Sequence, residues 1–293
     1  MTHTVNERNL SLAWLGAMEH LFDHKGIDTN LVVTITDVSE ENIKVREELD
    51  SFIAARKASG KDKDKGMAMA TVANTIFPES LYIPKLGDRA RQHLYNTYEQ
   101  AYPVIHRIRA NCHGTYFYRM MHWSPKDDKN NKNAQHKKQG INQIERVITT
   151  LRRELAKPNT LSSIYEVGIC GVTDGLAKDL SIVPPGGDIR IQDPDQAVHT
   201  RGFPCLSHIS LTYTRGRLHL TALYRNQHFI HKAYGNYLGL CRLLNFICRE
   251  AGCEPGELVC IATHADAELP SNKRVIASLI QRCRNVVNEV QWV

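Results

Sequence analysis

Apolar side chains recur at helical spacing in five segments of the chain. Leu10 to Phe22 puts Leu10, Leu12, Trp14, Leu15, Met18 and Leu21 on one face, and Gly26 follows as a stop. Ile43 to Ala58 does the same with Val45, Leu49, Phe52 and Ile53, and Arg89 to Arg109 with Leu94, Tyr98, Ala101, Val104 and Ile105, its face broken by Pro103. Ile141 to Leu155 is amphipathic through Ile144, Val147, Ile148 and Leu151, and Pro158 ends it. Gly235 to Ala251 differs, being apolar on nearly all sides, which predicts a buried core helix closed by Gly252. Between these lie β-rich runs: Asn30 to Val38, Ile164 to Ile169, and a short Ile189 to Ile191 after the turn Pro184-Pro185-Gly186-Gly187. Gly114 to Met120 reads as a strand or turn. Thr71 to Pro78 is short and mostly apolar, and its Asn74 is expected either to tie down a turn or to face a pocket. Helices alternating with β-rich runs predict an α+β protein with a central mixed sheet packed by one long buried helix. No repeat or linker divides the 293 residues.

The stretch with the most chemistry is Arg201-Gly202-Phe203-Pro204-Cys205-Leu206-Ser207-His208, which leads into Ile209 to Tyr213 and, after Thr214-Arg215-Gly216, into Leu218 to Asn226. Both arms favour strand, so a hairpin is expected, and its fold-back brings Arg225 near Cys205. A thiol has an ordinary pKa near ~8.5, and a neighbouring cation lowers it and raises the nucleophilic thiolate fraction. The guanidinium also suits bidentate contact with a phosphate. Against this stands the ordinary role of a strand cysteine, which is to pack in a core.

Cys205, Arg225 with Asn226, and Asn236 together resemble the thymidylate synthase superfamily, whose Pro-Cys nucleophile is followed at these same offsets by an Arg-Ser phosphate contact and a pyrimidine-reading Asn. Asn142-Gln143 resembles that family's Asp-Gln helix start, Gly114 to Arg119 its Gly-x-x-Tyr-Gly segment, and Glu254 to Val259 its turn and strand after the buried helix. The likeness runs from about residue 140 to 268. It implies a thymidylate synthase-like fold in one domain over 1–293, with a divergent part over 1–140 and the nucleophile and nucleotide-binding part over 141–293.

The resemblance implies that Cys205 adds to C6 of a pyrimidine nucleoside monophosphate, and that C5 then takes a one-carbon unit from 5,10-methylenetetrahydrofolate to give a methyl or hydroxymethyl product. Arg225 and Asn226 would hold the phosphate. Asn236 would read the base, its amide donating to O4 and accepting from N3–H of a uracil. Glu79 is the candidate for the family's active-site glutamate. Several positions depart from the family pattern. Leu206 replaces the His after the nucleophile, leaving His208 three residues on as a catalytic candidate, and the family's Ser-Arg-Arg is missing, with Arg190 and Arg201 as candidate replacements. The acidic residue that binds the pterin falls on His228. The His-x-Tyr that grips the sugar falls on the segment holding His264, Asp266 and Glu268, which implies a changed sugar such as ribose. The lost arginines and altered folate contact also fit a non-catalytic nucleotide-binding or regulatory protein. The family's habit implies a homodimer.

Composition narrows the setting. A hydrophobic content of 42% suits a soluble chain with a sizeable core, and no run reaches the ~18 apolar residues of a membrane span. The first residues lack the apolar stretch of a signal peptide. Eight cysteines without a CxxC pair point to reduced thiols, hence a cytoplasmic setting, and Cys241, Cys248, Cys253 and Cys260 match no usual zinc spacing. The net charge of +6 suits an anionic small substrate. Its lysines gather at Lys61 to Lys65 and at Lys126, Lys129, Lys132, Lys137 and Lys138, without the interleaved aromatics of a nucleic-acid platform, so these read as solvated loops.

Overall fold

The computed structural model describes residues 2–60, 66–108, 111, 114–123, 140–169, 204–270 and 273–290. Seven strands and eight α-helices occur among them: β1 (Thr4–Glu7), α1 (Leu10–Asp23), β2 (Ile27–Ile35), α2 (Ile43–Ala58), α3 (Met69–Asn74), α4 (Ala90–Arg107), α5 (Tyr116–Met121), α6 (Gln143–Leu155), β3 (Tyr165–Gly168), β4 (Leu206–Thr214), β5 (Arg217–Tyr224), β6 (Gln227–His228), α7 (Tyr234–Ala251), β7 (Glu254–Asp266) and α8 (Arg274–Val290). They form one mixed sheet in the order β1-β2-β7-β5-β4-β3, with β6 alongside β7. This is the expected α+β class.

Local sequence sets the helix starts. The Asn9 side chain accepts from the N–H groups of Ser11 and Leu12 and so caps α1; Asn42 and Asn142 cap α2 and α6 in the same way. Thr115 does this for α5, accepting from Tyr118 N–H at 3.2 Å. The segment expected to be a strand or turn is therefore a short helix, because a hydroxyl stands where an orphan donor of the first turn needs one.

β5 and β7 run parallel, so the chain between them must cross the sheet. It does so through β6, one π-helical turn (Phe229–Ala233) and α7. α7 is the expected core helix, with fifteen of its eighteen residues buried, and it ends at Gly252 in the left-handed region (φ 81°), where glycine carries no Cβ penalty. α3 lies directly on it. A Cβ at Gly235 would stand 2.7 Å from the Met69 carbonyl oxygen, and one at Gly239 equally close to that of Ala73, so the close approach requires both glycines.

One apolar cluster extends from Val5 to Val287 and takes in residues from both parts of the chain. It lies on the sheet face that carries α7. On the opposite face Val32, Ile261, Leu223 and His208 form one row of paired positions, and Thr34, Val259, Thr221 and Ser210 another; none of these is buried among the described residues.

β2 begins and ends three residues before the expected run. Asn74 is exposed at the end of α3, so it meets neither expected role. β1 and α8 were not legible in the pattern: β1 is four residues long, and α8 lies beyond the last segment whose periodicity stood out. The expected Ile189 to Ile191 strand, Lys61 to Lys65 and the second lysine run lie outside the described residues.

Candidate functional site

The hairpin of β4 and β5 turns at Arg215 and Gly216, both with positive φ (51° and 80°), the pair of conformations that matches the twist of a tight hairpin. Its register runs from Thr214 opposite Arg217 to Leu206 opposite Tyr224, with one irregularity between Leu206 and His208. The next pair outward is Cys205 and Arg225, where Arg225 N–H donates to the Cys205 carbonyl at 3.0 Å. Thr263 on β7 then donates its hydroxyl to the Arg225 carbonyl at 2.8 Å, which fastens this end of the hairpin to the sheet centre.

Cys205 opens into a cavity of about 240 Å³. The segment between β5 and β7 supplies Asn226, Gln227, His228, Lys232 and Asn236 to its wall, and α5 adds Tyr116 and Arg119. Val72 and Thr75 close it from the end of α3, which the glycines of α7 allow to come near. Cys205, Asn226, His228 and Asn236 are thus gathered as the sequence spacing anticipates. Arg225 is not part of the lining, although its charge acts on the Cys205 thiol.

Gln227, Lys232, Arg119 and Tyr116 were not anticipated. Lys232 had a signal available, since it stands four residues before Asn236 and so shares its helical face. Tyr116 and Arg119 stand three apart within the segment quoted for the resemblance, but their shared face was hidden once that segment was read as extended.

Burial raises the Cys205 thiol above its ordinary value, while Arg225 and then Lys232 pull it down without overcoming that effect. The expectation that a neighbouring cation leaves a lowered thiol is therefore corrected for this free cavity: desolvation outweighs both charges. Burial likewise lowers Lys232, opposed by Glu268 and Cys205. Burial, with Cys205 beside it, pushes Tyr116 up to about 12. The Tyr116 hydroxyl accepts from Leu206 N–H at 3.4 Å.

At the start of the crossover His228 meets two carboxylates. Its Nδ1 lies 3.6 Å from Glu268 Oε1 and 3.7 Å from Asp266 Oδ2, and its Nε2 lies 3.5 Å from the Asn226 amide nitrogen. The other oxygen of each carboxylate is tied down. Glu268 Oε2 accepts from His231 N–H at 3.1 Å and pairs with His231 Nδ1 at 2.8 Å, and Asp266 Oδ1 accepts from Glu268 N–H at 2.7 Å. Burial favours a neutral Glu268 carboxyl, but the His231 hydrogen bond, with the charges of His231 and His228, holds it below the ordinary carboxylate value. Asn226 Oδ1, Gln227 Nε2 and His228 Nδ1 are buried without a hydrogen-bond partner among the described residues, and all three belong to cavity-lining residues.

The remaining candidates lie elsewhere. Glu79 sits in a 3₁₀ turn (Glu79–Leu81), pairs with Arg242 at 2.9 Å and leaves its side chain 55% exposed, so an ion pair holds it outside the cavity lining. His208 is on the sheet face opposite α7, with Nε2 2.5 Å from Glu166 Oε2, because the irregularity after Leu206 puts Ser207 and His208 both on the side away from the buried Leu206 and Ile209. His264 pairs with Thr29 across β2 and β7 and does not line the cavity, and the same is true of Asp266 and Glu268, which reach it through His228. Arg190 and Arg201 lie outside the described residues.

Among the described residues no group of three His, Cys, Asp or Glu side chains is placed to hold a metal ion, and no helix is long and apolar enough to cross a membrane. No protein-family model and no curated protein matches the chain.

Proposed function

We propose that this protein binds a pyrimidine nucleoside monophosphate in the Cys205 cavity and transfers a one-carbon unit to C5 of the base, on a thymidylate synthase-like fold. The observation that carries this is the shared cavity: a nucleophile, Cys205, faces the amide side chains Asn226, Gln227 and Asn236, and two of those amides hold a buried unpaired acceptor and donor, Asn226 Oδ1 and Gln227 Nε2. Buried polar atoms without partners mark a place where a ligand completes the hydrogen bonding. A uracil ring, with its imide N–H between two carbonyls, supplies both complements.

Arg119 and Lys232 in the lining give the cavity the positive charge an anionic nucleotide needs, and Arg225 adds its charge from behind the thiol. Addition of Cys205 to C6 turns C5 into an enolate-like nucleophile, which splits a difficult substitution at an aromatic carbon into easier steps. The thiol must lose its proton as the nucleotide enters. The charges of Arg225 and Lys232, which already favour the thiolate, act in that direction.

The residues do not fit the folate contact that the resemblance implies. Where that family places a carboxylate for the pterin, this chain has an imidazole turned toward two carboxylates of its own. A homodimer has a surface available in the uncovered sheet face around Leu223, Val259 and Ile261. The raised thiol favours the second reading, a protein that binds the nucleotide without turnover.

The test is tritium release from [5-³H]-labelled UMP, dUMP, CMP and dCMP, with and without methylenetetrahydrofolate, for the wild type and Cys205→Ala. Release from one nucleotide, lost in the variant, is expected. No release from any of the four by folded protein removes the enzyme, and saturable binding of one of them would then leave the binding protein.

A further inference from the structure

We propose that His228 is the general acid and base at C5 of the bound pyrimidine, held in that role by the paired carboxylates of Asp266 and Glu268. This rests on the nucleotide reading of the Cys205 cavity and adds to it the group that moves the proton. Each carboxylate has one oxygen fixed by the protein and the other directed at the same ring nitrogen, Nδ1, at 3.6 and 3.7 Å. Two anionic oxygens within 4 Å of one nitrogen favour the tautomer that carries its proton there, which leaves Nε2 as the site of exchange. Nε2 faces Asn226, whose amide presents a donor to an unprotonated nitrogen or, after a half-turn, an acceptor to a protonated one. The imidazole is 36% exposed and lines the same cavity as the nucleophile, so its free edge is accessible to a ligand there.

The charged and titratable groups around it are Asp266 and Glu268 at the end of β7, His231 and Lys232 of the π-helical turn, Arg225 after β5, Arg119 of α5 and Cys205. The ring thus stands between the two carboxylates on its Nδ1 side and the lining cations Arg119 and Lys232 elsewhere in the cavity, the position of a group that gives and takes a proton.

The step balances without a further reactant. The Cys205 thiolate adds to C6, forming the S–C6 bond, and the π electrons of C5=C6 pass to C5 and O4. His228 Nε2–H gives its proton to C5, making C5 tetrahedral with two hydrogens. Solvent water on the opposite face then takes the original C5 hydrogen as a proton, the C5=C6 bond reforms, the thiolate leaves, and the neutral imidazole regains its proton from solvent. The net result is exchange of the C5 hydrogen with solvent in the absence of any one-carbon donor.

Two readouts separate this step from the reading it rests on. A mass increase on Cys205 with a 5-fluoropyrimidine nucleotide reports addition at C6 alone, and deuterium entering C5 in D₂O reports the proton transfer. The wild type is expected to show both and Cys205→Ala neither. His228→Asn is expected to keep the adduct and slow exchange by about 10²-fold or more. Asp266→Asn and Glu268→Gln are expected to slow exchange less and to move its pH profile, which a purely structural role would not do. Wild-type rates of exchange in His228→Asn overturn the proposal, as does a wild type that forms the adduct without exchanging. A wild type without adduct or exchange overturns the nucleotide reading and this inference together.

Discussion

Arg225 N–H donates to the carbonyl oxygen of Cys205 at 3.0 Å, and this main-chain bond holds the guanidinium-bearing residue beside the thiol-bearing one. Side chains at both positions can therefore be exchanged without opening the hairpin. Burial raises the thiol while Arg225 and then Lys232 lower it, so each cation removed leaves the buried thiol harder to ionise. The rate of alkylation by iodoacetamide is expected to climb at higher pH than for an ordinary cysteine, and Arg225→Met and Lys232→Met are each expected to move the profile further up. A profile unchanged in both variants would show that neither charge reaches the sulfur.

Gly235 tests the seating of α3 on α7. An added Cβ would stand 2.5 Å from Val72 Cβ and 2.7 Å from the Met69 carbonyl oxygen, contacts that a helix backbone cannot yield without moving. Gly235→Ala is expected to cost about 1–3 kcal/mol, the usual range for an overpacked core. Since Val72 also lines the cavity, nucleotide binding should weaken in the same variant. Thermal melting and binding titration measure the two effects.

Glu250 is a buried carboxylate near the end of α7. Tyr82 donates to its Oε1 at 2.5 Å, and Arg91 lies 3.3 Å and Arg152 3.7 Å from its Oε2. Glu250→Ala removes one of the two carboxylates that face the largely buried Arg91, the other being Glu145 at 3.1 Å, and leaves the Tyr82 hydroxyl without its acceptor, so a loss of about 1–3 kcal/mol is expected by denaturant titration. Glu250→Gln should recover part of it by keeping an acceptor for Tyr82.

Glu268 gives the fold an acid limb. Its carboxyl is raised by burial but held below the ordinary value on balance by His231 and His228. A depressed folded value contributes stability that is present above the unfolded pKa and is lost as pH falls through the folded one. Glu268→Gln is accordingly expected to flatten the decline in stability below about pH 4, the ordinary glutamate range. A variant that keeps the full acid slope would assign the slope to other carboxylates.

The sequence was most legible where one residue type has one use. The spacing of Cys205, Asn226 and Asn236 corresponds to a shared cavity because a tight hairpin followed by a helix leaves little freedom in where those positions fall. The apolar pattern of α7 was equally direct. Tertiary placement was less so. Glu79 carried a suitable side chain in a plausible segment, but Arg242, distant in sequence, takes up its charge. His208 fell to the register irregularity after Leu206, which puts Ser207 and His208 both on the side away from the buried Leu206 and Ile209. The acid–base array was hidden for a different reason. Asp266 and Glu268 act through His228, which joins β7 to the crossover, and no local pattern announces a contact between segments so far apart.

The position of β7 bears on how the molecule can form at all. β2 lies between β1 and β7, and its residue Val33 pairs with Cys260. A nascent chain released as far as α6 thus carries a strand whose principal neighbour has not yet been synthesised. Closing that loop late places the molecule among slow folders of high contact order, and it exposes the β2 edge to other chains in the meantime. Fragments cut anywhere before Glu254 inherit that open edge permanently, so the natural unit for expression is the chain carried through β7.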